Sequence, residues 1–250
     1  MQDKQSVYDK DGFFDLYQKL RSNPNSLNKI VEKPTMLGLV GDVSDKRILD
    51  LGCGCGEHLK LYLERGAAFV AGIDLSQAML QQAVKNLAEF RPHFLLEQAP
   101  MERLEQLNEG GFDLITSSFA FHYVQDFSAL LAKIHAKLKP NGQLVFSQEH
   151  PIVTCYQGGE RWEKDAQKRQ LAYRLNFYRD EGERQRNWFK QPFTTYHRTT
   201  ATIINNLISA GFHIEQMAEP MLADQPQWQD EFKDLQHRPV LLFVKARKNT

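Results

Sequence analysis

The chain has 250 residues, 42% of them hydrophobic, and 31 Lys plus Arg balance 31 Asp plus Glu. That length suits one large domain or a domain with an embellishment. A net charge of zero argues against a polyanionic partner such as nucleic acid, whose binding is driven by clustered positive charge.

Residues 8–20 carry apolar side chains at Phe13, Leu16, Tyr17 and Leu20, a helical spacing. Asn23-Pro24-Asn25-Ser26 reads as a turn that also supplies an N-cap, and a second helix is expected to about Leu39. After the polar turn Ser44-Asp45-Lys46 comes Arg47-Ile48-Leu49-Asp50-Leu51, an apolar run expected as a buried parallel strand. It runs into Gly52-Cys53-Gly54-Cys55-Gly56, and a helix is predicted from Glu57. Strand, glycine turn and helix together present backbone N–H groups to a nucleotide-like ligand. Cys53, Cys55 and Cys155 are too few and too badly spaced for a disulfide framework or a zinc site, and no metal is expected. The first two read as small turn-lining residues.

The glycine spacing is G-x-G-x-G, not the G-x-G-x-x-G of dinucleotide sites. Asp50, two residues before the first glycine, would repel a pyrophosphate but can accept hydrogen bonds from an ammonium. The second strand, 68–74, ends in Asp74, about 20 residues on, where such folds bind ribose hydroxyls. A ligand with ribose, a cationic amino-acid tail and no phosphate fits both acids, and S-adenosylmethionine is one. ILDLGCGCGEH, VAGIDLSQAML, FDLITSSFAFHYV and LKPNGQLVFS together resemble the class I S-adenosylmethionine-dependent methyltransferases, in their small-molecule (type 11/12) branch. The resemblance covers roughly residues 30–150. It implies an α/β fold: a Rossmann-like seven-stranded, mostly parallel sheet with helices on both faces and an antiparallel last strand. It implies a cofactor site at Asp50, Gly52, Cys53, Gly54, Gly56, Asp74, Leu75, Met79, Met101, Glu102 and Ser117. In this family an N-terminal helix often closes over the cofactor, so Tyr8 and Tyr17 are candidates to face the site. The family's usual acid after the third strand is replaced here by Ala99 or Pro100, which leaves adenine to the backbone around Met101 and Glu102.

Further along, Ser76 is expected to cap a helix, and 93–99 to form the third strand. The fourth strand, 112–118, leads to His122. A helix over 126–138 is closed by a turn at Lys139-Pro140-Asn141-Gly142, and the fifth strand, 143–148, leads to Glu149 and His150. Ligands sit at the carboxyl ends of strands in open α/β sheets, so His122, Glu149, His150 and His197 are the candidate proton handlers, and Tyr196 and Arg198 candidate substrate contacts. Each has a structural alternative: His122 bonded to backbone, Glu149 paired with an arginine, His197-Arg198 a helix-start cluster. Residues 152–197 alternate charged and aromatic side chains without a long apolar run, which reads as an inserted cover over the site, or else as an oligomer contact. Thr199 is a predicted N-cap, Gly211 a C′ glycine, and 212–219 and 240–246 a closing antiparallel pair.

The expected organisation is N-terminal helices over 1–45 capping the cofactor site, then a Rossmann-like domain over 46–250 with the cover inside it. The expected activity is methyl transfer from S-adenosylmethionine to the oxygen or nitrogen of a small molecule. The alternatives are a macromolecular acceptor and a non-catalytic protein that holds the cofactor. The opening residues carry no apolar run and no stretch approaches a membrane span. A cytoplasmic monomer or homodimer without a nucleic-acid or membrane partner is expected.

Overall fold

The computed structural model describes residues 6–10, 12–221 and 232–249. Its centre is a seven-stranded sheet in the order β10-β11-β5-β4-β1-β2-β3. The strands are β1 Arg47–Leu51, β2 Phe69–Asp74, β3 Phe94–Gln98, β4 Phe112–Ser117, β5 Leu138–Glu149, β10 Phe212–Ala218 and β11 Leu241–Lys248. β1 pairs in parallel with β2 and β4, and β11 runs antiparallel to both β5 and β10. This is the expected architecture with its antiparallel last strand.

β1 reads as a near-continuous apolar run because it is covered on both sides. Ile48, Val70, Leu114, Val145 and Phe243 face one core, shared with α2 Lys33–Val40 and α3 Glu57–Glu64. Their neighbours Leu49, Ala71, Ile115, Leu144 and Val244 face the other, shared with α5 Phe127–Lys137 and α7 Thr200–Ser209. α4, Gln77–Asn86, is capped by Ser76, whose hydroxyl accepts the Met79 N–H at 3.2 Å. Thr199 caps α7 in the same way from Thr202. Gly211 follows α7 at φ +87°, where a Cβ would stand 3.1 Å from the His135 ring.

Two segments differ from the sequence expectation. β5 begins at Leu138, directly after α5, and passes through Asn141 at φ +61°. The expected turn at 139–142 is thus part of the strand, because Phe112 pairs with Leu138 before the register shifts. The segment after β5, expected as a cover with no elements assigned to it, holds secondary structure of its own. It holds α6 Pro151–Thr154, one hairpin of β6 Trp162–Lys164 with β7 Gln170–Tyr173, and a second of β8 Gly182–Trp188 with β9 Gln191–His197. At the other end, α1 Phe13–Ser22 is followed by a π-helical turn, Asn28–Glu32, leading into α2. Among the described residues no helix is long and apolar enough to cross a membrane.

Candidate active site

The glycine turn is shaped by backbone that side chains rarely adopt: φ is +76° at Gly52, +53° at Gly54 and +73° at Gly56. A Cβ on Gly52 would stand 2.8 Å from the Ala120 Cβ and 3.3 Å from the Met101 methyl, whereas above Gly54 nothing lies within 4 Å. Asp74 holds the turn from the end of β2. Its Oδ2 accepts the Gly54 N–H at 2.8 Å and its Oδ1 the Ser76 N–H at 2.8 Å. Each oxygen keeps a lone pair for a ligand hydroxyl. Burial raises the Asp74 carboxyl above the usual range, against those backbone bonds, and the Asp9 charge adds to the rise. Asp50 is 2% exposed, accepts the Thr116 hydroxyl at 2.7 Å, and is pushed up to about 7 by burial. Leu75 is half-buried beside the turn, as are Met101 and Glu102.

Three expected cofactor contacts sit differently. The Cys53 side chain points into the core, 2.7 Å from where a Cβ on Gly72 would be, and its N–H bonds the Ile73 carbonyl. The Ser117 hydroxyl is fully buried and donates to the Leu51 carbonyl at 2.8 Å, tying β4 to β1. Met79 is buried, with its sulfur 3.4 Å from the Cys55 sulfur.

The strand-end candidates separate into two groups. His150 caps α6, its Nδ1 accepting the Ile152 N–H at 3.1 Å, and its Nε2 lies 2.8 Å from Glu219. His197 is 1% exposed, with Nε2 2.8 Å from the Tyr178 carbonyl and Nδ1 2.8 Å from the Thr154 hydroxyl. A carbonyl only accepts, so Nε2 carries the proton and Nδ1 accepts from Thr154. Both rings are thus fully bonded, and burial lowers both from the usual histidine value. Arg198 donates to the Val124 and Gln125 carbonyls and lies over the Phe127 ring at 5.2 Å. These three are ties of the fold and not free groups of an acceptor site. Tyr196, at 9% exposure, is buried beside them.

The second group does converge. Glu149 pairs with Arg186 of β8, its two oxygens 3.3 and 3.2 Å from Nη2. His122 is buried, takes the Glu149 N–H on Nδ1 at 3.5 Å, and is lowered to about 4 by burial. Tyr123, beside it at a ring separation of 4.3 Å, is within electrostatic reach of Glu149, Arg186 and the Tyr8 hydroxyl. Tyr8 in turn feels Tyr17 and Asp74. Tyr8 and Tyr123 thus feel the charges at both strand ends, Asp74 of β2 and Glu149 of β5.

The sequence model of a family described as a methyltransferase domain matches residues 48–142. An S-adenosylmethionine dependent methyltransferase from Mesorhizobium loti is 35% identical, covers 89% of this chain and 100% of its own, and superimposes with a TM-score of 0.78. The chain belongs to the S-adenosylmethionine-dependent methyltransferases. An uncharacterized protein of Haemophilus influenzae is 66% identical to this methyltransferase over 99% of each chain. A ubiquinone biosynthesis O-methyltransferase of Pasteurella multocida is 34% identical over 57% of this chain and 59% of its own. This methyltransferase thus spans just over half of that relative.

Glu32, Asp9, Arg21 and Arg186, which tie the segments around the strand ends, have no signature in the sequence. Glu32, on the π-helical turn, is fully buried and accepts the Ser118 and Ser147 hydroxyls at 2.6 and 2.7 Å. Ser147 also receives the N–H of Phe119, a residue held at φ +57° at the carboxyl end of β4. Asp9 accepts the Ser76 hydroxyl at 2.6 Å and the Ala78 N–H at 3.0 Å at the start of α4. Arg21 of α1 pairs with Glu57 of α3 at 3.0 Å. Arg186 reaches Glu149 from 37 residues away. Only the π-helical turn, a feature frequent at functional sites, would have pointed to any of them, and it is not readable from sequence.

Proposed function

We propose that this methyltransferase carries the methyl group of S-adenosylmethionine to a small molecule held between the glycine turn and Glu149. Asp74 would take the ribose hydroxyls on its remaining lone pairs. Asp50 would face the ammonium of the amino-acid tail, a cation that offsets a carboxylate otherwise buried with a neutral partner. The glycine turn, Leu75 and Met101 would line the adenosine. The cofactor supplies an activated methyl group. The protein's part is to align the acceptor, exclude water and, for a hydroxyl or ammonium acceptor, receive a proton.

One observation carries the acceptor class. Tyr8 packs against Tyr17 and Trp188 at ring separations of 4.9 and 6.3 Å, and Tyr123, within electrostatic reach of Tyr8, packs against Phe193 of the second hairpin at 6.0 Å. A site roofed so closely by side chains suits a compact acceptor more than a polymer. Of the expected capping segment 1–45, residues 6–10 and 12–45 form one half of that roof and 152–197 the other, with 1–5 and 11 outside the described residues. Glu149 and His122 are the proton handlers of this reading, and Tyr8, Tyr17 and Tyr123 its acceptor contacts.

The test is release of S-adenosylhomocysteine with pooled small metabolites, with protein and with RNA, each supplied separately. Release with the small-molecule pool alone is expected. Release only with protein or RNA overturns the acceptor class. Tight cofactor binding with no release from any pool favours a non-catalytic holder. Tyr123→Phe should then lower turnover by about tenfold or more, the order expected when an acceptor is mispositioned, with S-adenosylhomocysteine affinity kept.

A further inference from the structure

The turn between β8 and β9 is built against its own residues. Trp188 pairs with Gln191, leaving a two-residue loop of Phe189 at φ +47° and Lys190 at φ +62°. Positive φ at both loop positions is the geometry of a type I′ hairpin, which favours Asn-Gly because other side chains are strained there. Within the hairpin, Phe189 stacks on Trp188, and the other ring contacts of the turn lie outside it.

The compensation comes from the other end of the chain. Trp188 packs edge-on against Tyr8, Phe13 and Tyr17 at ring separations of 6.3, 5.4 and 5.9 Å. Phe189 stacks on Trp188 at 5.2 Å and meets Phe13 at 5.6 Å. Edge-to-face pairs of this kind add to what area burial alone supplies. Phe13 is 1% exposed as a result, although α1 has no side-chain cap of its own. The short N-terminal segment is held at its other side by Asp9, which occupies the first N–H groups of α4. Negative charge is favoured at a helix start, and α4 begins three residues after Asp74 of the ribose site.

Neither piece has a core of its own, and each completes the other, with α1 tied by the Arg21–Glu57 pair to the helix that follows the glycine turn. We infer that Asp9 and Trp188, 179 positions apart (188 − 9), are positioning residues of one gate, so that losing either opens the whole roof and releases the cofactor. This deepens the proposed function and rests on its methyl-donor site. In the closed state the aromatic contacts hold the strained turn. In the open state the turn relaxes, which gives the hairpin two distinct arrangements and makes closure a switch rather than a gradual bend.

The test is a double-mutant cycle on the rate at which S-adenosylhomocysteine dissociates, followed by stopped-flow displacement. Asp9→Ala and Trp188→Ala should each speed dissociation by about tenfold or more, as expected for losing a few aromatic or charge-assisted contacts. The double variant should be no faster than the faster single one, because one gate opens once. Lys190→Gly relieves the turn without removing a ring and should dissociate no faster than the unaltered protein. Effects that multiply in the double variant mean two separate covers and overturn the inference. So does an unchanged rate in either single variant. Should Trp188→Ala fail to fold, Phe189→Ala replaces it with the same two expectations. If the unaltered protein does not bind S-adenosylhomocysteine, the methyl-donor reading fails together with this one. Binding with unaltered dissociation rates overturns this one alone.

Discussion

Asp50 lies two residues before the glycine turn, buried, with the Thr116 hydroxyl at 2.7 Å and the Glu32 and Asp74 carboxylates as its charged neighbours. An aspartate in an unfolded chain titrates near about 3.9, whereas burial lifts Asp50 to about 7. Between those values the fold keeps a proton that the unfolded chain has released. Asp50 therefore contributes stability that is complete below about pH 4 and is lost as pH rises through its folded value. His122 acts in the opposite sense. Lowered to about 4 by burial, it contributes above the ordinary histidine range and loses that contribution as pH falls. Comparison with Asp50→Asn isolates the aspartate: the stability of the native protein relative to that variant should decline from about pH 4 to about pH 7 in urea unfolding. A flat difference would show that Asp50 does not titrate as a buried acid. Asp74→Ala should weaken S-adenosylhomocysteine binding by roughly 1–3 kcal/mol through lost hydrogen bonds to ribose, and unchanged affinity in calorimetry would remove Asp74 from the site. The placement of both acids beside the glycine turn was readable in sequence because they stand at fixed offsets from glycines. The partners of His150, His197 and Arg198 were not readable for the opposite reason. A histidine at a strand end has the same chemistry whether it moves protons or ties loops, and the groups that decide, Thr154, the Tyr178 carbonyl, Glu219 and the Val124 carbonyl, are distant in sequence.

Among the elements, the parallel strands were legible because each is a short apolar run ending in a glycine, acid or polar turn. The two hairpins after β5 were not. Their strands alternate charged with aromatic residues, and only one face meets the body of the protein: along β8, Arg184 is buried while Glu183 and Gln185 are exposed. Without a continuous apolar run, period-two patterning of this kind reads as a polar loop. Placing them shows what His197 does. It ends β9, takes the Thr154 hydroxyl from α6 and donates to the Tyr178 carbonyl, so it joins both sides of the cover's base. His197→Ala should lower stability by about 1–3 kcal/mol, since buried polar partners are left unpaired, with little change in S-adenosylhomocysteine affinity. Unchanged unfolding with lost turnover would restore it as a proton handler. The tip of β8–β9 depends on rings from α1, so hydrogen exchange at Gln185–Phe193 should slow when S-adenosylhomocysteine binds, while β1 and β4 stay unchanged. Equal exchange in the free and bound states would mean that the hairpin is fixed irrespective of ligand.

At the scale of the whole molecule, the sheet and the roof are two layers with different supports. The sheet is buried on both faces by helices, and its strands form two apolar cores. The roof rests on ring contacts, on Asp9 and on the Arg21–Glu57 pair, which is partly exposed and adds little by itself. A ligand beneath the roof therefore bridges layers that the bare chain joins weakly, and it stabilises the native state by mass action. At one hundred times its dissociation constant the gain is about 2.7 kcal/mol. For a chain of this size each kcal/mol moves the unfolding midpoint by about 2–4 °C, so S-adenosylhomocysteine should raise the midpoint by roughly 5–10 °C. NAD should leave it unchanged. The turn is G-x-G-x-G, its Gly54 N–H is already given to Asp74, and Asp50 stands two residues before the first glycine. A pyrophosphate would meet carboxylates where it needs free N–H groups. A thermal-shift titration of both ligands decides the matter: a midpoint raised by NAD and indifferent to S-adenosylhomocysteine would overturn the assignment of the cofactor.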